Sequence, residues 1–121
     1  YEGALQQLCI DEGLGVVTYF SLASGYLSGK YRSADDLGKS PRGARVKPYL
    51  DGKGPAVLAA MDRIAAETGA TLSQIALAWV AAQPGVTAPI ASATSVEQLD
   101  ELMGSLDLRL SDEQLAALSA A

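Results

Sequence analysis

The sequence predicts an α/β fold built on parallel strands, and three observations carry that prediction. Val16–Phe20 is a compact β-prone run without polar alternation, the pattern of a strand covered on both faces. A second run, Thr87–Ala91, follows after two helical stretches, and strands alternating with helices imply parallel crossovers. Each run then passes into small hydroxylic residues, in Tyr19-Phe20-Ser21-Leu22-Ala23-Ser24-Gly25 and in Pro89-Ile90-Ala91-Ser92-Ala93-Thr94-Ser95. Parallel α/β folds present backbone N–H groups to an anion at such strand ends.

The elements follow in the order α-β-long loop-α-α-β-α-α. Gly3 to Glu12 carries Ala4, Leu5, Leu8 and Cys9 at helical spacing, with Gly13 and Gly15 as the stop. After the first strand, Ser24 to Pro55 is rich in Gly, Ser, Pro and charge and reads as an extended, partly helical loop, basic over residues 30–55. Gly54-Pro55 opens a helix with Ala56, Val57, Ala60, Met61, Ile64 and Ala65 as its apolar stripe, ended by Gly69. Thr71-Leu72-Ser73-Gln74 fits a capping box leading into Ile75-Ala76-Leu77-Ala78-Trp79-Val80, apolar nearly all round and so expected to be buried. Ser95-Val96-Glu97-Gln98 is a second box, starting a helix expected to turn Leu99, Leu102 and Met103 inward. Ser111-Asp112-Glu113-Gln114 is a third, before Leu115 and Leu118. Two parallel strands alone leave both sheet edges open, so residues 1–121 are expected to form a single partial domain that needs a partner.

Composition narrows the function classes. The chain has 121 residues, 49% of them hydrophobic, enough for one core. Its longest uncharged stretch, residues 68–96, is broken by Gly69, Gln74, Gln83, Pro84 and Gly85, so no membrane span is expected. A net charge of −5 argues against general affinity for nucleic acid. A single cysteine, Cys9, and no secretory leader set the expectation of a cytoplasmic protein. Tyr1 is not an initiator methionine, so the start is expected to be a boundary of processing, proteolysis or coverage. Charge is segregated: residues 30–53 hold seven basic against three acidic side chains, a local +4, while the remainder carries −9. That segment reads either as a solvated loop or as one that folds over a phosphorylated ligand.

Together the two segments resemble one family, the aldo-keto reductases. The first is similar to the family's aromatic-Ser-Pro-Leu-Ala-x-Gly-x-Leu-x-Gly-Lys-Tyr pattern, matched at Tyr19, Leu22, Ala23, Gly25, Leu27, Gly29, Lys30 and Tyr31, with departures at Phe20 and Ser21. The second resembles Ile-x-Gly-Ala-x-x-x-x-Gln-Leu-x-Glu-Asn, with Ser92 in place of the glycine, matches at Ala93, Gln98, Leu99 and Glu101, and Leu102 in place of the asparagine. The resemblance covers essentially the whole chain. It implies the C-terminal fragment of a (β/α)₈ TIM barrel, around the seventh and eighth strands, that binds NADPH (NADP) and serves an oxidoreductase reducing aldehydes or ketones to alcohols.

Carried over residue by residue, the resemblance makes Tyr19 the platform for the nicotinamide ring. Ser21, Leu22, Ser24, Gly25 and Lys30 would cradle the pyrophosphate, and Arg45 would reach the phosphates. Ser92 and Thr94 would lie near the 2′-phosphate or ribose, with Gln98 and Glu101 toward the adenine. Each also has an ordinary structural account: Tyr19 as a buried strand tyrosine, Gln98 as the third residue of a capping box, Ser92 and Thr94 as turn residues.

The family's catalytic tyrosine, lysine, aspartate and histidine are implied to lie upstream, so no catalytic residue is assigned within this chain. It contains no histidine, and one cysteine offers no metal set. The implied partners are the nicotinamide cofactor, a small carbonyl substrate and the remaining N-terminal half of the barrel. The alternative is a non-catalytic nucleotide-binding or regulatory module of the same fold, a half-barrel that assembles with another chain, or an inactive proteolytic fragment.

Overall fold

Side-chain caps set the start of three of the six α-helices. In the computed structural model, which describes residues 1–121, the elements are α1 (Ala4–Asp11), β1 (Val17–Thr18), α2 (Gly43–Asp51), α3 (Gly54–Thr68), α4 (Leu72–Ala81), β2 (Ala88–Pro89), α5 (Val96–Met103) and α6 (Asp112–Ala120). Short 3₁₀ turns occupy Ala23–Ser28, Ala34–Lys39 and Gly104–Leu106. The boxes at Thr71 and Ser111 form: Gln74 N–H donates to Thr71 Oγ1 (3.3 Å) while Thr71 N–H donates to Gln74 Oε1 (3.0 Å), and Ser111 and Gln114 repeat the exchange at 3.2 and 3.0 Å. At Ser95 only half the box closes. Ser95 Oγ accepts from Gln98 N–H (3.2 Å), but the Gln98 carbonyl turns to Thr94 instead.

The core lies between α3 and α4, with Leu58, Met61, Ile64, Ile75 and Ala76 buried together with Tyr26, Tyr31 and Val46. As its pattern predicts, α4 buries Ser73, Ile75, Ala76, Leu77 and Ala78. On α3 the stripe shifts slightly: Leu58 is buried and Ala56 exposed. No helix is long and apolar enough to cross a membrane.

Three expectations are corrected. The extended, partly helical loop expected up to Pro55 is helical over most of residues 30–55, with a 3₁₀ turn over Ala34–Lys39 and all of α2 inside them. Within it α2 sets Val46, Tyr49 and Leu50 at helical spacing despite Pro48, and Tyr31 and Val46, both completely buried, tie the segment to the core. The strands are also shorter than expected, two residues each, and β1 is not covered on both faces. They pair in parallel with Val17 opposite Ala88 and Thr18 opposite Pro89. Thr18 and Pro89 are partly covered, while Val17 is 59% and Tyr19 74% exposed. One paired edge and one helix layer cannot cover the other face of so small a sheet. Finally, Leu99 and Met103 lie exposed on α5 with only Leu102 half-buried, and Leu5 and Leu8 lie exposed on α1.

Candidate functional site

Parallel pairing brings both hydroxylic segments to one end of the sheet. Ile90 N–H donates to Thr18 O at 2.7 Å, so the chain beyond Thr18 and the chain beyond Pro89 leave neighbouring strands, about 4.8 Å apart, in the same direction. The first then turns sharply. Phe20, Ala23 and Ser24 have φ of 58°, 49° and 58°, and Gly25 has 96°. Left-handed backbone at a non-glycine residue costs about 1 to 2 kcal/mol, so three such residues mark a turn imposed by its surroundings. Ala23 N–H closes on Phe20 O (2.8 Å) and Gly25 N–H on Leu22 O (2.9 Å), and the buried Ser21 donates its hydroxyl to Thr18 O at 3.3 Å. The backbone N–H groups of Ser21, Leu22 and Ser24 donate to nothing within the chain. Successive free N–H groups in such a turn make an anion-binding concavity.

Lys30 supplies the charge. Its ammonium lies 5.2 Å from the centre of the Tyr31 ring, and a Cβ on Gly25 would come within 3.3 Å of Lys30 Cε and 3.5 Å of Nζ. The lysine therefore folds back against the turn through the space that glycine leaves, and it makes no ion pair. Leu22 and Ser24 are half-buried beside it. Tyr19 stands on the open face of the sheet, tilted against Phe20 with ring centres 4.8 Å apart. Within this chain Tyr19 is not buried.

At the second segment Ser92 and Thr94 are exposed. Thr94 donates both its N–H (2.8 Å) and its hydroxyl (2.9 Å) to Gln98 Oε1, which commits that carbonyl and leaves the Gln98 amide N–H groups without an intrachain partner. Glu101 is half-buried. Its backbone carbonyl accepts from Gln74 Nε2 at 2.8 Å, and its carboxylate makes no ion pair. The N–H groups of Val96 and Glu97 stay free at the start of α5, its positive end.

Arg45 sits exposed on α2, which packs against the Ala23–Ser28 turn. The seven basic residues of its segment divide into two sets. Arg32 makes a bidentate pair with Asp62 (2.8 and 3.0 Å), Lys39 pairs with Asp36 (2.7 Å) and Lys47 with Asp51 (2.5 Å). Lys30, Arg42, Arg45 and Lys53 have no acidic partner. The hydrogen bond from Arg32 holds the Asp62 carboxyl below its usual range, and Lys39, with the Arg32 and Ser33 N–H groups, holds Asp36 at about 2.

Two features carry no sequence signal. A groove of about 390 Å³ opens beside β1, lined by Thr18, Tyr19 and Phe20 on one side and Met61, Ile75 and Trp79 on the other. Its walls are mostly apolar, which suits aromatic or aliphatic groups and not phosphate. Tyr26 is the other: its hydroxyl is buried without a hydrogen-bond partner, and burial pushes its phenol up.

Against known proteins, the family model described as the aldo/keto reductase family matches residues 2–121. The chain belongs to the aldo/keto reductase family. It is 31% identical over 117 residues to the aldo-keto reductase yakc [NADP(+)] of Schizosaccharomyces pombe, covering 92% of this chain and 34% of that protein. It is 33% identical over 112 residues to the chloroplastic pyridoxal reductase of Arabidopsis thaliana, covering 92% of this chain and 30% of that one. An uncharacterized oxidoreductase of Mycobacterium tuberculosis, Rv2298, is 38% identical over 111 residues, covering 88% and 33%. Among solved structures, the thermostable aldo-keto reductase Tm1743, in complex with the inhibitor epalrestat, superposes with a TM-score of 0.68 at 27% identity, over 96% of this chain and 32% of that chain. This aldo/keto reductase chain thus spans about a third of the length of the relatives it matches.

Proposed function

We propose that residues 1–121 form a single partial domain, the C-terminal, cofactor-binding part of a (β/α)₈-barrel oxidoreductase that reduces aldehydes or ketones to alcohols with NADPH. The observation that carries this reading is the row of unpaired N–H groups at Ser21, Leu22 and Ser24, with the unpaired Lys30 ammonium folded against Gly25 beside them. That set fits a pyrophosphate: backbone donors around a concavity, one cation, and no carboxylate paired to it. The free amide of Gln98 and the exposed Ser92 and Thr94 suit the adenosine end, Glu101 borders it, Arg45 is available to a phosphate, and the open face of Tyr19 suits a flat ring. A relative whose name carries NADP(+) supports the choice of cofactor. When bound, NADPH supplies hydride to the substrate carbonyl; the residues of this chain bind and orient it.

The proposed partner is the remaining barrel. Both outer sheet edges are unpaired, and α1 and α5 expose Leu5, Leu8, Leu99 and Met103. NADPH titration of the purified whole-barrel protein that carries residues 1–121, by quenching of tyrosine and tryptophan fluorescence, followed by NADPH oxidation with a panel of aldehydes, tests the reading. Saturable binding with turnover supports it. Binding without turnover assigns the non-catalytic module, and no binding overturns the cofactor assignment.

A further inference from the structure

The bidentate Arg32–Asp62 pair joins residues thirty positions apart and reaches the turn that carries Lys30. The Arg32 guanidinium is used on two edges. Nη1 and Nη2 donate to the two Asp62 oxygens on α3 at 2.8 and 3.0 Å, and Nε donates to Gly29 O at 2.8 Å. Gly29 is itself pressed into place: its φ is 82°, and a Cβ there would lie 2.6 Å from Leu72 Cδ1 and 2.9 Å from Arg32 Nη2. Farther along the chain, the Arg32 N–H donates to Asp36 Oδ2 at 2.8 Å, and Lys39 Nζ donates to the Lys30 carbonyl at 3.1 Å. Lys30 is therefore enclosed in a turn whose leading carbonyl is tied, through one guanidinium, to a carboxylate on the core helix.

We infer that Asp62 is a positioning residue for Lys30, acting through Arg32 to aim the lysine ammonium at the anion cradle of Ser21, Leu22 and Ser24. The inference rests on the cofactor reading above. Asp62 and Arg32 are each about half exposed, so as an isolated pair they contribute little to stability. Their geometry is what is specific: a planar guanidinium gripping a carboxylate with two donors and a carbonyl with a third fixes direction as well as distance. The sign of the expected effect separates positioning from simple charge. Removing the negative charge of Asp62 makes the surroundings more positive, which by itself would tighten binding of an anion. Loss of aim weakens it.

The experiment is a double-mutant cycle on the purified whole-barrel protein that carries residues 1–121, with NADPH affinity read by fluorescence titration for the wild type, Asp62→Asn, Lys30→Met and the double variant. Asp62→Asn is expected to weaken binding about three- to fivefold. Lys30→Met is expected to weaken it about tenfold or more, as a lost charge-assisted contact does. The double variant should match Lys30→Met within about 1.5-fold, because Asp62 acts only through the lysine. Arg32→Lys conserves net charge, loses the planar grip and serves where Asp62→Asn fails to fold. About threefold weaker binding in the wild-type background, and none further with Lys30→Met, is its expected result. Effects that multiply, or an Asp62→Asn protein that binds as tightly as the wild type or tighter, overturn the inference and leave the cofactor reading standing. Failure of the wild-type protein to bind NADPH overturns both.

Discussion

Gly25 shows how much one missing methyl group decides. Its φ of 96° and the 3.3 Å approach of Lys30 to its absent Cβ act together, so Gly25→Ala should strain the backbone and push the lysine away. A stability loss of about 1 to 2 kcal/mol in chemical denaturation, together with weaker NADPH binding, is the expected result. Tyr26 works the other way. A hydroxyl buried without a partner costs desolvation that nothing returns, so Tyr26→Phe should stabilise the fold by about 1 kcal/mol, and a loss would mean that the hydroxyl is satisfied in solution. At Asp36 the Lys39 ammonium, followed by the Arg32 N–H, lowers the carboxyl to about 2, against about 3.9 when unfolded. Because the folded value is the lower one, its contribution is complete above about pH 5 and disappears as the pH falls toward 2. The difference in melting temperature between wild type and Asp36→Asn should therefore be constant near neutrality and close on acidification; a gap that widens would contradict the assignment.

Helices in this chain are set in two different ways. Those of α3, α4 and α6 are written locally: Pro55 in the first turn of α3, the reciprocal boxes at Thr71 and Ser111, and an apolar stripe that reaches the core. Ile75, completely buried on α4, sits where that stripe meets Tyr26, Tyr31 and Met61. Ile75→Ala should cost about 3 kcal/mol in denaturant unfolding, since the surrounding helices cannot collapse fully into the space. In contrast, α2 has no side-chain cap and Pro48 inside it; buried Val46, half-buried Leu50 and Tyr49 against the Tyr26 ring tie it to the core. The Gly, Ser, Pro and charged residues around it, and the missing cap, hide α2 in the sequence. The box expected at Ser95 was only half right because the competing partner, Thr94, stands one residue earlier and offers Gln98 two donors in place of one.

Seen whole, the molecule has more surface than its mass calls for. It exposes 7451 Å², against about 6,200 Å² for a compact monomer of 12.5 kDa, roughly a fifth more. The excess is apolar where it matters: Val17, Tyr19 and Phe20 beside one strand, Ile90 beside the other, and Leu99 and Met103 on α5. Two unpaired sheet edges lie in the same region, and exposed edges next to apolar side chains invite association. Residues 1–121 expressed alone should self-associate or melt without cooperativity. Sedimentation velocity and calorimetry check this, and a monodisperse monomer with a sharp transition would show that the two-stranded unit is self-sufficient.

The sequence by itself determined that α1, α3, α4, α5 and α6 are helical, where the capped ones start, and that two strand ends carry small hydroxylic residues in a family-specific order. Those properties depend on hydrogen bonds and side-chain spacing within about four residues, so the local order of residue types specifies them. Only the tertiary structure decided that Arg32 belongs to Asp62, that Lys30 lies against Gly25 and Tyr31, and that Tyr19 and Leu99 face outward. Such pairings depend on which layers meet and which faces find a cover. Nothing in the spacing of residues thirty positions apart records that.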